Sequence, residues 1–244
     1  MDSVIIIGLA FAFGGILKGA TGVGAPILAV PVVAVFFDIP FAVTIFSLPN
    51  LLPNIWQAWA YRDQRMPWNF AARFAIAGGV GAAVGTFLLI RLPTEFLSLF
   101  LAGMVFVYIG FRLFQPKWRL GYPLAVKLAL PIGLFAGALQ GSSGLSAPAS
   151  LTFLTAMRLE RGQFMSTVSM FFVGLGVVQV PLLISYGMLN RDTALISAAA
   201  VMPLVAFMPV GARLARHISP EKFDRILLII LTILSLNLVV DFIR

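Results

Sequence analysis

The chain has no cysteine and a single histidine, His217. The first absence excludes disulfides, thiolate metal sites and cysteine nucleophiles together. The second removes histidine-based metal or haem ligation, and because His217 falls on a polar joint it also removes a Ser-His dyad within any apolar segment. Charge is scarce as well: Asp, Glu, Lys and Arg make up 11% of the residues, against 60% hydrophobic ones. All acidic residues, Asp2, Asp38, Asp63, Glu95, Glu160, Asp192, Glu221, Asp224 and Asp241, fall at the ends of apolar runs or in the joints between them. No run contains a carboxylate that could serve as a proton relay or a charged sodium cage. The amino terminus, Met1-Asp-Ser3, lacks the basic region of a cleavable signal peptide, so its apolar stretch is read as the first membrane segment.

What is present is apolar length. Over 244 residues the mean hydropathy is +1.01, more than a soluble fold of this size could cover. The apolar residues come in runs of roughly 20, the length of helix that crosses a hydrocarbon core of about 30 Å. The expected fold is an all-α polytopic membrane protein. Its segments run over 3–17, 25–37, 40–60, 69–90 and 95–114, then over 123–139, 147–157, 162–186, 193–214 and 223–243. The second segment, at 1.5 Å per residue, reaches only about 20 Å and cannot span a standard core alone.

An internal repeat organises these segments. Gly19-Ala-Thr-Gly22-Val-Gly-Ala25-Pro26 aligns with Gly141-Ser-Ser-Gly144-Leu-Ser-Ala147-Pro148 at an offset of 122 residues (148 − 26). The offset also pairs Phe13 with Phe135, Gly15 with Gly137, Leu17 with Leu139, Ser47 with Ser169 and Gln57 with Gln179. The chain therefore divides into 1–122 and 123–244, two repeats within one membrane domain. Each repeat has a broken or re-entrant helix pair followed by three full crossings, an odd number, so the second should be inverted. Under that scheme 13 Lys and Arg gather on one side, leaving Arg91, Arg191 and Arg244 on the other and Lys18 at a hairpin tip. The positive-inside rule then makes both termini extracytoplasmic. The net charge of +8 is distributed at run ends rather than in a patch with aromatics, which argues against nucleic acid as a partner.

Three sets of residues could carry function. The first is the pair of breaks, where Pro26 and Pro148 suit the first turn of a helix. Two half-helix amino termini near the bilayer centre would attract anions. Gly19, Gly22, Gly24 and Gly144 permit close approach, while Thr21, Ser142, Ser143 and Ser146 offer hydroxyls. The alternative reading is that glycine and serine here serve helix packing, as Gly133, Gly137 and Gly141 at four-residue spacing would. The second set is a polar stripe, Ser47, Asn50, Asn54 and Gln57, on one helical face, echoed by Ser169 and Gln179. Amides within a membrane segment must face protein or a polar path, and interhelical hydrogen bonding is their other role. Pro49 and Pro53 interrupt the hydrogen-bond ladder of the same helix. The third is Lys18, which either neutralises an anion or snorkels to an interface; its repeat mate is Gln140, so the site would be asymmetric. Arg73 and Arg213 are read as anchors at helix ends.

The Gly19-to-Pro26 stretch after a leading apolar segment, its Gly-Ser-Ser-Gly counterpart at 141–144, and the two-half architecture resemble the sulfite exporter TauE/SafE family of membrane permeases. The resemblance extends over essentially the whole chain. It implies secondary transport or facilitated passage of a sulfur oxyanion such as sulfite, a sulfonate or sulfoacetate, usually outward, across the cell inner membrane. The substrate site would then combine Lys18, Gly19, Thr21, Gly22, Gly24, Pro26, Asn50, Asn54 and Gln57 with Gln140, Ser142, Ser143, Gly144, Ser146, Pro148 and Gln179. Neither a cofactor nor a metal is implied, and no enzymatic activity. The implied partners are a small anionic solute and membrane lipid, and nothing in the sequence specifies a homo-oligomer. A non-transporting membrane subunit or assembly partner, or a simple anion channel, would be compatible with the same segments.

Overall fold

The structure, a computed structural model, describes residues 3–114, 119–215, 217 and 220–243, apart from the side chains of 220–224, 226 and 241–243. Of the charges used above, Asp2, Lys117, Arg216 and Arg244 lie outside the described residues, as do the side chains of Glu221, Lys222, Asp224 and Asp241. The described chain folds as α1 (Ser3–Thr21), α2 (Ala25–Phe36), α3 (Ile39–Ala60), α4 (Trp68–Arg91), α5 (Thr94–Phe114), α6 (Tyr122–Ser143), α7 (Ala147–Ala156), α8 (Arg161–Ser185), α9 (Arg191–Leu214) and α10 (Pro220–Ile243). One 3-10 turn at Arg62–Gln64 precedes α4. No strand occurs among the described residues.

Among the described residues seven helices, α1, α3, α4, α5, α6, α8 and α9, are long and apolar enough to cross a membrane, and α10 carries a further apolar stretch at Leu227–Val240. With the apolar runs of the sequence, they make this a polytopic α-helical membrane protein. α2 has 12 residues and α7 has 10. At 1.5 Å per residue they extend about 18 Å and about 15 Å, well short of a 30 Å core. Because α3 starts two residues after α2 leaves off, the far end of α2 stays within the depth that α3 spans.

Local chemistry sets the helix ends. Asp38 accepts from Phe41 N at the start of α3, Glu160 and Gln163 form a capping box on α8, and Asn190 accepts from Asp192 N and Thr193 N on α9. Inside α3, Pro49 removes the N–H that would bond Ile45 O. The fully buried Ser197 of α9 donates to that carbonyl at 2.8 Å, so a neighbouring helix satisfies the group the proline orphans.

Glycines seat the helices against one another. A Cβ on Gly15 or Gly19 of α1 would run into Leu204 O and Met208 O of α9, and one on Gly211 into Ile16 O. The equivalent seam joins α6 to α4: Gly137 abuts Gly78, Gly141 abuts Ala82, and Gly81 and Gly85 abut Leu134 and Ala138. Backbones approach this closely only where no side chain intervenes. The two seams match residue for residue with one shift. Gly15 and Gly137 keep the offset of 122, whereas their partners Leu204 and Gly78 are 126 apart (204 − 78). Relative to α4, α9 therefore lies about one helical turn further along the chain than an offset of 122 would place it, and α8 is longer than α3, 25 residues against 22.

The apolar core separates into two clusters, and neither follows the sequence halves. One draws its residues chiefly from α1, α2, α3 and α5, with α9 and α10 adding to it. The other is built from α4, α6, α7 and α8 around Phe70, Phe74, Phe153 and Phe171. Each half therefore lends its fourth helix to the other half's bundle. The two bundles meet along α3 and α8. Leu51 packs on Gly176 and Gln57 reaches Met165, so residue order reverses and these repeat-related helices run antiparallel.

Joints rich in basic residues converge at one end of the molecule. Tyr122 OH donates to Asn69 Oδ1 at 3.2 Å, Leu120 N donates to Ala156 O at 2.8 Å, and Gln64 lies on Gly162. Arg62 stacks over Trp59 and Arg65 over Trp68 there, with both indoles exposed. That pairing of cation and aromatic suits a membrane interface.

Candidate functional site

Both breaks turn on a glycine in the left-handed region, Gly22 at φ +89° and Gly144 at φ +72°, where other L-residues would be strained. The helices run further than the sequence suggests, so that Lys18 and Gln140 occupy the last turns of α1 and α6. α1 and α2 form an antiparallel hairpin: Gly14 lies on Ala25 and Ala29, and Gly24 on Leu17. The hairpin tips cross between the bundles. Val23, at the first tip, belongs to the cluster of α4, α6, α7 and α8, and its repeat mate Leu145 belongs to the other.

The first break is polar. Lys18 is 3% exposed, and its ammonium donates to Asn54 Oδ1 at 2.9 Å. One turn on, Gln57 Nε2 donates to Gly22 O at 3.3 Å and to the Met165 thioether at 3.3 Å. The α3 amides thus hold the last turn of α1 and the break beyond it, 18 with 54 and 22 with 57. Asn54 Nδ2 in turn donates to Asn50 O at 2.6 Å. No carboxylate pairs with Lys18 among the described residues, and Gln57 Oε1 is buried without a partner among them. A buried cation with no counter-charge is costly in a medium of low dielectric, and a bound anion would offset that cost.

The second break is closed on itself. Gln140 Nε2 donates to Gly144 O at 2.8 Å while its Oε1 accepts from Ser146 N at 3.0 Å, so one side chain ties both ends of the turn. Where α3 has Asn54, α8 has Gly176, and Leu51 fills the space. The polar pair of the first half therefore lacks both its members in the second. Gln179 also donates to a break carbonyl, Gly141 O at 3.4 Å, but this is the counterpart of Gly19 rather than of Gly22.

The hydroxyls expected at the breaks are engaged locally. Thr21 donates to Leu17 O, and its oxygen accepts from Val23 N and Gly24 N; Ser142 donates to Ala138 O and Ser143 to Leu139 O. Ser146 accepts from Ser150. Pro26 and Pro148 occupy the first turns of α2 and α7. Gly19 and Gly141 stand on the interhelical seams, Gly24 touches Leu17, and Asn50 serves Asn54. The structure thus brings Lys18, Gly22, Asn54 and Gln57 to one place and keeps Gln140, Ser142, Ser143, Gly144, Ser146 and Gln179 around the other break.

Sequence reasoning passed over Met165, Ser166 and Thr167. The hydroxyls of Ser166, Thr167 and Ser169 are buried on α8 without partners among the described residues. Their repeat mates Thr44 and Ser47 do bond carbonyls of their own helix. The signal was present: Ser166, Ser169, Gly176 and Gln179 share one helical face, as Ser47, Asn54 and Gln57 do.

Many membrane-crossing helices with interrupted segments at corresponding positions are a recurrent transporter architecture. The chain belongs to the family described as Sulfite exporter TauE/SafE, whose model matches residues 6–238. Membership places it among membrane transporters of sulfur-containing anions rather than among enzymes. No curated protein and no solved structure matches the chain.

Proposed function

We propose that the protein carries a small, singly charged sulfur oxyanion, hydrogen sulfite or a simple sulfonate, outward across the inner membrane. The observation that carries this reading is Lys18, buried on α1 beside the first break with an amide partner and no carboxylate. One cation balances one negative charge; a dianion would leave a net charge in a poorly solvating site. Outward movement needs no coupling ion, because an inside-negative potential drives an anion out with about 2.3 kcal/mol per charge per 100 mV. The absence of acidic residues within the apolar runs agrees with this.

The repeats 1–122 and 123–244 are read as inverted copies, supported by the antiparallel course of α3 and α8. With the basic joints on the cytoplasmic side, both termini face away from it. Alternation is assigned to the α3–α8 boundary rather than to one half moving against the other, because the glycine seams join helices of opposite halves.

Reconstituted protein in vesicles loaded with sulfite or methanesulfonate tests the reading. Saturable efflux that accelerates under an inside-negative potential and is lost in Lys18→Gln is expected. Flux equal to protein-free vesicles across a panel of sulfur oxyanions and carboxylates overturns it, and flux that rises linearly without saturating points to a channel.

A further inference from the structure

We propose that the anion binds at the first break alone, between the Lys18 ammonium and the Gln57 amide, in the place now filled by the Met165 thioether. The second break is a sealed counterpart that binds none. The inference rests on the anion-transport reading and assigns its site and stoichiometry.

The repeat supplies the comparison. A Cβ on Gly22 would run into Met165 Sδ, and a Cβ on Gly144 would meet Val30 at 2.8 Å and Val43 at 3.3 Å. Met165 and Val43 are themselves repeat mates (165 − 43 = 122). Each glycine turn is therefore reached from across the α3–α8 boundary by the same position of the opposite helix, joined at the second break by the nearer Val30 of α2. The stoppers differ in kind. Valine is branched at Cβ and stiff about χ1, whereas methionine is unbranched and readily changes rotamer.

The groups behind the stoppers differ in the same sense. Behind Met165, Gln57 Nε2 spends one of its donors on a thioether at 3.3 Å, a weak acceptor that an oxyanion oxygen would readily replace. A turn away, Lys18 has only the neutral Asn54. Behind Val43, Gln140 has both ends of its amide engaged by Gly144 O and Ser146 N, and no cation is present. Leu51 occupies the level at which Gly176 replaces Asn54. A mobile stopper, a replaceable contact and a lysine that no carboxylate among the described residues faces coincide at one break and are all missing at the other.

The test is calorimetric titration of the purified full chain with sodium sulfite and, separately, methanesulfonate, on wild type, Met165→Ala, Met165→Leu, Val43→Ala and Lys18→Gln. Melting temperature without anion serves as the check on folding. One anion per chain is expected. Met165→Ala, which removes a competing contact, should tighten binding by about fivefold, the size of one weak interaction. Met165→Leu keeps the bulk but is branched and yields its place less readily, so it should weaken binding by about fivefold. Val43→Ala should leave affinity unchanged, and Lys18→Gln should abolish binding while the protein still melts cooperatively. Two anions per chain, or equal responses to Met165→Ala and Val43→Ala, would overturn the one-sided site while leaving anion transport standing. Binding that survives in Lys18→Gln also overturns it. No heat with either anion on any folded variant overturns the site and the transport reading together.

Discussion

Lys18 and Gln140 hold the same place in the repeat and do opposite things. Lys18 reaches across to α3, while Gln140 folds back onto its own turn. Gln140→Ala should therefore cost stability rather than binding, by roughly 1–3 kcal/mol for the buried backbone groups left unpaired. Denaturation in detergent would read the loss, and the sulfite dissociation constant should be unchanged. Ser197→Ala belongs to the same class. It strips the donor from a carbonyl that Pro49 already orphans, and should lower stability by roughly 1–3 kcal/mol.

At the level of elements, the two glycine seams decide which helices travel together. Gly15→Val should prevent α1 from reaching α9 and leave little folded protein, because the incoming side chain meets backbone that cannot rotate away. Gly103→Ala, on α5 where a Cβ meets nothing within 4 Å, is the matched control and should express like wild type. Size-exclusion profiles of the two variants would separate a packing seam from a general intolerance of glycine substitution. The four-residue shift in the α4 and α9 registers has the same physical origin. An added turn keeps the glycine face directed at its neighbour, whereas one or two added residues would rotate it away.

For the whole molecule, the exchange of α4 and α9 between halves changes what can move. Cysteine is absent, so engineered pairs report cleanly. A cross-link between Ala77→Cys and Gly133→Cys ties the two sequence halves but lies within one bundle, where the Gly133 Cβ position is 2.9 Å from Ala77 Cβ. Forming the cross-link should leave transport where the reduced form of the same variant has it. A Leu51→Cys, Gly176→Cys pair, 3.1 Å apart by the same measure, bridges the bundles and should block transport reversibly on reduction. The reverse pattern would show that the halves move as units. Orientation can be read separately, since a single cysteine at Arg62 should be labelled only from the cytoplasmic side and one at Gly187 only from outside.

Length, hydropathy and repeat spacing were enough to place all ten helices, most ends falling within a residue or two, because the cost of unpaired backbone in lipid leaves helix as the form each apolar run can take. The larger misses were at the ends of α1 and α6, where Lys18 and Gln140 read as loop but are helical. A polar side chain looks like a boundary until tertiary partners such as Asn54 satisfy it. The breaks, their glycines and the candidate cation were legible in one dimension, as local backbone chemistry marks them. How each break is filled from the opposite helix was not. That depends on Met165 and Val43 crossing from the opposite helix, and on α4 and α9 changing bundles, contacts between residues far apart in the chain that only the packed structure brings together.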